Sequence, residues 1–211
     1  MAYMLSEGRR WLRMVSSVQP AVHGSRSGAG KISVEDEIYS MTEDLLATLP
    51  ESLDVPKASA DDCLAIVLSQ ECVRFNRLMD VIRQSLEVLQ KAIRGWTVMS
   101  LELERVFKSL YNNELPETWA AAAYPSLKPL SSWMADLVAR VQFLRSWKQH
   151  GKPTSFWLSG MFFPQGLLTA VLQEFARRHT IPIDELSFEF RVETSSEGPV
   201  LVDELPALKG S

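Results

Sequence analysis

The segment GSRSGAGKIS, residues 24–33, has the look of a glycine-rich loop that holds nucleotide phosphates. Such a loop needs Gly, four further residues and then Gly-Lys-Ser/Thr, because successive backbone N–H groups wrap the phosphates while the hydroxyl binds Mg²⁺. Counting back from Gly30-Lys31 puts Ser25 at the first glycine position, and Ile32 stands where the hydroxyl is required. Two fixed positions therefore fail, and we interpret the segment as a Gly/Ser-rich surface linker.

The two cysteines and three histidines lack the spacing that catalysis or metal binding needs. Cys63 and Cys72 lie nine positions apart in one predicted helix, on opposite faces and about 13 Å apart along its axis, too far for a disulfide. No Cys-x-x-Cys pair or nearby histidine completes a metal ligand set, so buried or half-buried free thiols are expected. His23 lies in the linker, whereas His150 and His179 lie at predicted helix C-termini, where a partly cationic ring is favourable.

No other motif points to an enzyme. The sequence has no Gly-x-Ser-x-Gly elbow, no His-Glu-x-x-His and no carboxylate pair set in an evident pocket. The serine of WLSGM has no neighbour to activate it, and the acidic run 35–37 is interpreted as helix-end electrostatics. We therefore predict no catalytic, cofactor-binding or metal-binding residue in this chain.

The composition excludes several classes of partner. Of 211 residues, 46% are hydrophobic, which is enough for a substantial core. A formal charge of -4 provides no basic excess for nucleic acid or for an anionic membrane surface. No apolar stretch reaches the roughly 18 to 20 residues that span a bilayer, and the N-terminus lacks the order of a signal peptide. We predict neither nucleic-acid nor membrane binding, and an intracellular location.

The fold is predicted to be mainly α, a helical bundle with one unusually long helix from Ser59 to Gly95. Apolar residues recur there at spacings of three and four: Leu64, Leu68, Cys72, Phe75, Met79, Ile82, Leu86, Leu89 and Ile93. Ser59 with Asp62 forms a capping-box-like start, and Gly95 supplies the stop. Three valines widen the apolar face: Val67, Val73 and Val81. A face of that width favours a bundle core over a two-stranded coiled-coil seam.

Shorter helices are predicted on both sides of the long one, at residues 3–17, 33–50, 100–113, 131–150 and 164–179. The N-caps are expected to be Ser33, Ser100 and either Ser131 or Ser132, since a hydroxyl oxygen can accept an otherwise unpaired backbone N–H. Pro164 suits the first turn of the last helix.

A short β segment is predicted near the C-terminus. In IPIDELSFEFRV, apolar Leu186, Phe188, Phe190 and Val192 alternate with polar residues, which is the period of a half-buried strand. GPVLVDEL at 198–205 is a candidate partner, yet a two-stranded ribbon is marginal alone. We expect the β structure to be incomplete within this sequence.

Four segments occur in an order and at separations that are characteristic of one family: QECVRFNRLMDVIRQSLEVLQKAIRGWTVMSLELE, YPSLKPL, PTSFWLSGMFFPQGLLTAVLQEFARRH and IPIDELSFEF. Together they cover most of residues 60–192 and resemble the C-terminal region of dynein heavy chains. AYMLSEGRRWLRMVSSVQP and the following linker resemble the end of the sixth AAA+ module. FWLSG and IPID are more similar to axonemal than to cytoplasmic dyneins. Departures at Pro164, Ala170 and Glu174 affect local packing more than identity.

The resemblance implies three parts: 1–50, the end of the sixth AAA+ module and a linker; 51–185, the helical part of the dynein C-terminal domain; and 186–211, the incomplete start of a small β-barrel. It implies a non-catalytic part of an ATP-driven microtubule motor that modulates ciliary or flagellar movement. ATP and Mg²⁺ would bind ring modules outside this chain, so no cofactor is expected here. The implied location is the cytoskeleton of the cytoplasm, in the axoneme of a cilium or flagellum.

The implied partners are the AAA+ ring modules of the same heavy chain, other dynein chains, and microtubules through a remote part of the full protein. Because the family's C-terminal region lies across one face of the ring, we expect the apolar stripe and the aromatic cluster WLSGMFF to bury either against ring modules or against the rest of the small β-barrel. Trp157, Phe162 and Phe163 are the candidate docking residues. A purely internal core role stays open for each of them.

Two other classes stay open from the residues alone. A stand-alone helical adaptor or scaffold protein would share the apolar stripe and the lack of a catalytic site. A nucleotide-dependent enzyme would require Lys31 to contribute to nucleotide affinity.

Overall fold

The structure, a computed structural model, describes residues 33–59 and 61–189. These residues form six α-helices and no β-strand. The helices are α1 (Val34–Thr48), α2 (Cys63–Ile93), α3 (Leu101–Tyr111), α4 (Glu117–Ala122), α5 (Leu130–His150) and α6 (Pro164–His179). Two 3-10 turns, Leu158–Gly160 and Ile183–Glu185, flank α6. The predicted mainly helical fold is confirmed, as is the long helix, which has 31 residues.

Some sequence predictions fall partly or wholly outside the described residues. The helix at 3–17, His23 and all of the Gly/Ser linker except Ser33 lie outside them. Of the predicted strand, Leu186 has extended backbone angles, φ -100° and ψ 136°, but Phe190, Val192 and the candidate partner at 198–205 lie outside. The strand therefore stays a prediction. None of the described helices is long and apolar enough to cross a lipid bilayer.

The protein divides into two compact units, each built from two stretches of sequence. The first unit has the described residues 33–52 and 77–139, and the second has 53–59, 61–76 and 140–189. Helices α2 and α5 each contribute residues to both units. The division into 1–50, 51–185 and 186–211 rests on resemblance to family modules and not on contacts within the fold. It stays a prediction.

In the first unit, α1 runs antiparallel to the C-terminal half of α2. Three side-chain contacts mark the pairing: Arg83 Nη2 donates to Pro50 O (3.3 Å), Gln90 Nε2 donates to Thr42 Oγ1 (2.9 Å), and the Arg94 guanidinium lies 4.0 Å from the Tyr39 ring centre. The contact residue on or beside α2 changes from Arg83 to Arg94 as the contact residue on or beside α1 changes from Pro50 back to Tyr39. The N-terminal end of α1 therefore lies where α2 stops.

Three aromatic side chains fill the core of the first unit. The Trp133 ring stacks on Tyr124, with ring centres 5.9 Å apart, and lies 6.3 Å from the Trp119 ring. All three side chains are buried. Trp119 Nε1 donates to Ser85 Oγ at 2.7 Å, which satisfies a polar group that would be costly to bury unpaired.

The second unit is tied together by polar contacts at its margins. The Asn76 amide pairs with both backbone groups of Leu53, since Oδ1 accepts from the N–H and Nδ2 donates to the carbonyl, each at 2.7 Å. Lys148 Nζ on α5 donates to Asp54 Oδ2 (2.8 Å), and Arg177 Nη1 on α6 donates to the carbonyl of Asp61 (2.7 Å). These contacts hold the segment before α2 against α5 and α6.

Four of the predicted helix signals are confirmed. Ser33 Oγ accepts the N–H of Asp36 (3.1 Å) and Ser100 Oγ accepts the N–H of Leu103 (3.3 Å), so both serines are N-caps. Gly95 has φ +75°, the left-handed conformation that ends α2. Pro164 is the first residue of α6, where its missing N–H costs nothing.

Two predicted caps are wrong. Helix α2 begins at Cys63, and the side chain of Asp62, not of Ser59, accepts a first-turn N–H, that of Ala65 (2.8 Å). Ser131 and Ser132 lie inside α5, which begins at Leu130. The N–H of Ser131 is instead accepted by the side chain of Asn113 at 3.0 Å, a cap supplied from 18 positions earlier that no local pattern indicates.

Two further expectations about the helices need correction. Val73 is 52% exposed and does not widen the buried face of α2, whereas Val67 is buried as expected. Helix α4, Glu117–Ala122, is absent from the helices that the sequence predicts, because Pro125 and Pro129 indicate a break in the helical pattern just after it. Pro116 sits just before the first helical residue, where a proline is tolerated, and alanine favours the helix that follows.

Candidate functional site: an aromatic loop held by a buried glutamate

The candidate docking residues lie in one loop of the second unit, residues 156–163, between α5 and α6. This aromatic loop begins with Phe156, whose ring meets Trp147 of α5 edge-on at 5.1 Å, and it contains the 3-10 turn Leu158–Gly160. It ends at Phe163, the N-cap position of α6. The shape of the loop therefore depends on α5 at one end and on the start of α6 at the other.

A buried carboxylate on α2 fixes the end of the aromatic loop. Glu71 has 0% exposure, and its oxygens accept the backbone N–H groups of Phe162 (2.6 Å) and Phe163 (3.1 Å). Phe163 has no side-chain oxygen with which to cap α6, and Glu71 instead holds the two backbone N–H groups that come directly before the helix. The negative charge also lies at the positive end of the α6 dipole.

The buried charge of Glu71 has a basic partner one helical turn away. Arg74 Nη1 donates to Glu71 Oε1 at 3.1 Å, and its side chain is 40% exposed. The same guanidinium lies 5.8 Å from the centre of the Phe163 ring, within reach of a cation–π interaction. Arg74 thus compensates the carboxylate and contacts the aromatic side chain that the carboxylate positions.

Trp157 is held by partners within the second unit. Its ring meets Phe143 edge-on at 6.3 Å, the Arg140 guanidinium lies 5.3 Å from the ring centre, and Nε1 donates to Ser159 Oγ at 2.7 Å. Arg140, which is buried, also donates from Nη1 to the carbonyl of Ser159. A Cβ on Gly160 would come within 2.6 Å of the indole, so only glycine fits beneath this ring.

The two phenylalanines differ in exposure. Phe162 is half-buried and meets Phe75 of α2 edge-on, with ring centres 4.7 Å apart. Phe163 is 49% exposed. The structure therefore brings the three predicted residues into one loop, with Trp157 and Phe162 packed against internal partners and Phe163 presented to solvent. Their role in docking stays a prediction.

Sequence reasoning missed Glu71 and Arg140, the two residues that fix the loop. Glu71 follows Leu68 by three positions and precedes Phe75 by four, which places a carboxylate on the apolar stripe of α2. A charged residue at such a position is almost never buried unless it is paired. The sequence therefore indicates that Glu71 needs a partner. It does not indicate which groups provide it, because the two backbone N–H groups lie 91 and 92 positions away.

The cysteine thiols of the second unit are shielded from solvent. Cys63 and Cys72 are free and buried, as expected. Burial raises the pKa of the Cys72 thiol to about 11 against the lowering influence of the Lys148 charge, and the Glu71 carboxylate adds to the rise. A thiol with this pKa stays protonated at neutral pH, and the thiolate is the reactive form. Among the described residues, no three His, Cys, Asp or Glu side chains could hold a metal ion.

The two described histidines lie where they were predicted. His150 is the last residue of α5, with Nδ1 at 3.1 Å from the carbonyl oxygen of Ser146. His179 is the last residue of α6 and packs on Phe175, with ring centres 4.2 Å apart. Both rings make helix-end contacts. In the aromatic loop as a whole, buried polar groups hold three aromatic side chains, of which Phe163 is exposed.

Comparison with known proteins identifies the family. The sequence profile of the C-terminal domain of dynein heavy chains matches residues 5–206. The protein is 47% identical to human dynein axonemal heavy chain 1 over 172 residues, and 41% identical to human dynein axonemal heavy chain 6 over 202 residues. It is 41% identical over 196 residues to the dynein-1-beta heavy chain of the flagellar inner arm I1 complex of Chlamydomonas reinhardtii.

These alignments cover 79%, 91% and 90% of this sequence, respectively. They cover 4%, 5% and 4% of the three relatives, so the sequence spans about a twentieth of the length of the heavy chains that it matches. The resemblance to the C-terminal region of dynein heavy chains of the axonemal type is confirmed. This protein belongs to the family of C-terminal domains of dynein heavy chains.

Proposed function

We propose that this protein is the non-catalytic C-terminal region of an axonemal dynein heavy chain and acts in ciliary or flagellar movement, in the axoneme. The match to the family over residues 5–206, with 41–47% identity to axonemal and flagellar heavy chains, carries the proposal. ATP and Mg²⁺ are bound by ring modules outside this sequence, and microtubules are bound by a remote part of the same heavy chain. The domain contributes to the motor by contact and not by chemistry.

The contact proposed is with the AAA+ ring modules of the same heavy chain, through the aromatic loop. Phe163 is the residue available for it, since it is 49% exposed and lies beside Arg74. Aromatic and arginine side chains dominate the binding energy of protein interfaces. Glu71 holds the backbone of Phe162 and Phe163 in place before any partner binds, which lowers the entropy lost on docking.

Such docking modulates the motor if it favours one state of the ring over another. A domain that binds all ring states equally changes no equilibrium between them, whereas differential contact restrains the ring in the favoured state. The proposed effect is on force or run length of the motor. The ATP sites themselves are unchanged.

The size of the native polypeptide tests membership of a heavy chain. An antibody against residues 61–189 is used to blot a ciliated-cell lysate, and we expect a band far larger than the 23.8 kDa of this sequence. A band at 23.8 kDa would instead support the stand-alone helical adaptor. The substitution Lys31→Ala tests the alternative of a nucleotide-dependent enzyme. That function requires the substitution to weaken nucleotide binding, whereas our proposal predicts no change.

A substitution on the aromatic loop tests the docking. In the full axonemal heavy chain that includes this domain, Phe163→Ser is expected to change the force or run length of the motor, because the exposed ring is lost while its backbone hydrogen bond to Glu71 remains. Tyr111→Ser is the matched control, since Tyr111 is 56% exposed and belongs to the other compact unit. Unchanged motility in Phe163→Ser, or an equal change in both variants, would remove Phe163 from the proposal.

A further inference from the structure

The first compact unit carries an apolar patch that is more exposed than the aromatic loop. Trp96 is 79% exposed, Val98 85% and Leu101 66%, and all three lie within six residues between the end of α2 and the first turn of α3. We call these three residues the Trp96 patch. Large apolar side chains clustered at this exposure are unusual on a free surface and mark a place where another segment binds.

The Trp96 patch lies at the same end of the first unit as the N-terminal end of α1. Pro50, just after α1, contacts Arg83 in the middle of α2, whereas Tyr39 near the start of α1 contacts Arg94 just after α2. The N-terminal end of α1 therefore lies at the end of α2 that leads into Trp96. Helix α1 also packs against α3. Ser33 therefore lies at the same end of the unit as the Trp96 patch.

The surroundings of the patch are acidic. The first turns of α1 and α3 bring five exposed carboxylates: Glu35, Asp36, Glu37, Glu102 and Glu104. Three basic side chains lie on the adjoining turns: Lys91, Arg94 and Arg105. Carboxylates thus outnumber basic groups at this end of the unit, so a segment that combines apolar side chains with positive charge fits it.

The N-terminal segment of this protein has that composition. Residues 3–17, YMLSEGRRWLRMVSS, contain three arginines and one glutamate among large apolar side chains: Tyr3, Met4, Leu5, Trp11, Leu12, Met14 and Val15. Residues 18–32 join this segment to Ser33, and fifteen residues can reach at most ~50 Å, which is ample for return to the patch. A tether of this length also keeps the local concentration of the segment high.

We propose that residues 3–17 bind the Trp96 patch, with their arginines toward the acidic first turns of α1 and α3. The inference is independent of docking through the aromatic loop, because it concerns the other compact unit and a segment of this same polypeptide. It assigns the N-terminal segment, which resembles the end of the sixth AAA+ module, a role in covering the domain, in place of a second copy of the protein.

Disulfide trapping in the full 211-residue protein tests the proposal. One cysteine replaces Val98 on the patch and a second replaces Leu5, Leu12 or Val15 in turn, under mild oxidation. The native cysteines are buried, so they do not compete. The control pairs each N-terminal cysteine with Leu127→Cys, at a fully exposed leucine of the same unit but outside the patch. We expect at least one Val98 pair to form an intramolecular disulfide about tenfold or more faster than its Leu127 control.

The charges give a second test within the same experiment. With Arg9, Arg10 and Arg13 replaced by Glu, trapping at Val98 is expected to fall severalfold, while the rate of the Leu127 pair changes little. Equal rates at Val98 and Leu127 for all three positions would overturn the proposal. So would disulfides that form only between molecules, since these would identify a second copy of the protein as the occupant.

Discussion

Glu71 shows how one buried charge can stabilise a surface without being part of it. Its carboxylate accepts two backbone N–H groups of the aromatic loop and one N–H from Arg74, so no oxygen of the buried group lacks a donor. Burial of a carboxylate is costly unless it is both paired and hydrogen-bonded, and both conditions are met here. The exposed ring of Phe163 is therefore positioned by the side chain of Glu71, which is itself fully buried.

Removal of the Glu71 carboxylate is predicted to destabilise the fold. Glu71→Ala leaves the N–H groups of Phe162 and Phe163 without their acceptor, so we expect a loss of about 2 kcal/mol in the free energy of unfolding, measured in urea. Glu71→Gln retains one acceptor oxygen and is expected to lose about 1 kcal/mol. Glu87→Ala, at an exposed position of the same helix, is the control and should change stability by less than ~0.5 kcal/mol.

A methyl group at Gly160 is predicted to displace Trp157. The added Cβ of Gly160→Ala would meet the ring at 2.6 to 3.0 Å, close to its attachment point, while Phe143 and Arg140 hold the ring from other sides. Overpacking of this kind costs about 1 to 3 kcal/mol. Near-ultraviolet circular dichroism should report the displaced indole. If the cause is this clash, adding Trp157→Ala to Gly160→Ala costs less than the sum of the two single changes.

What the sequence reveals about individual residues depends on how local their contacts are. Ser33 and Ser100 bond to N–H groups three positions away, and both were predicted correctly. Asn113 and Glu71 bond to groups 18 and more than 90 positions away, and both roles were missed. A cap whose donor and acceptor are close in sequence leaves a pattern, whereas one formed by tertiary packing does not.

Helix α5 starts at a junction made by Asn113. This residue has φ +56°, its side chain accepts the N–H of Ser131, and its carbonyl accepts the N–H of Leu130 (3.0 Å). Asparagine tolerates the left-handed conformation better than most residues and also provides the capping oxygen. Asn113 thus satisfies two requirements at once, a left-handed backbone and a capping oxygen.

Substitutions at Asn113 can separate the two requirements. Asn113→Gly keeps the backbone conformation and loses only the cap, for which we expect about 1 kcal/mol. Asn113→Ala loses the cap and strains the backbone, so the expected loss in the free energy of unfolding is about 2 kcal/mol. Asn112→Ala at the exposed neighbour should lie within ~0.5 kcal/mol of the parent. Equal losses for Ala and Gly at 113 would contradict a contribution from backbone strain.

The contact between the segment before α2 and α5 is predicted to weaken in acid. The hydrogen bond from Lys148 and its charge hold the pKa of Asp54 below its ordinary value of 3.8. Because the folded-state pKa is the lower one, the stabilisation is complete above pH 3.8 and is lost as the pH falls through the lowered pKa. The stability difference between the parent and Asp54→Asn, followed from about pH 6 to about pH 2.5, should therefore shrink to zero in acid. High salt should reduce it at every pH, since Asp54 is exposed.

Helices with strong periodicity were the elements best predicted. The stripe on α2 identified a long helix within two to four residues at each end, because buried positions such as Phe75 and Leu86 recur with the helical period. Helix α4 has only six residues, too few for a periodic signal, and lies between prolines. The β segment rests on an alternation that continues beyond the described residues, so it stays a prediction.

For the molecule as a whole, family membership was predicted more surely than the location of a functional surface. The order of four segments identified the dynein C-terminal domain, and the profile match over residues 5–206 confirms it. The candidate docking residues were chosen for aromatic density, yet exposure is a property of the folded protein. Trp157 and Phe162 have internal partners. Trp96 and Val98 were not singled out, although among the described residues only Leu127 is a more exposed large apolar side chain.

The rate at which the Cys72 thiol reacts with a labelling reagent can report how fast the second compact unit opens. It is fully buried and protonated at neutral pH, so an alkylating reagent can modify it only in molecules that have opened and released the proton. At high reagent concentration the labelling rate becomes the opening rate itself. Substitutions that loosen the aromatic loop, Glu71→Ala among them, should quicken this labelling before any change in helix content is visible. The labelling rate of Cys72 therefore measures how often the second compact unit opens.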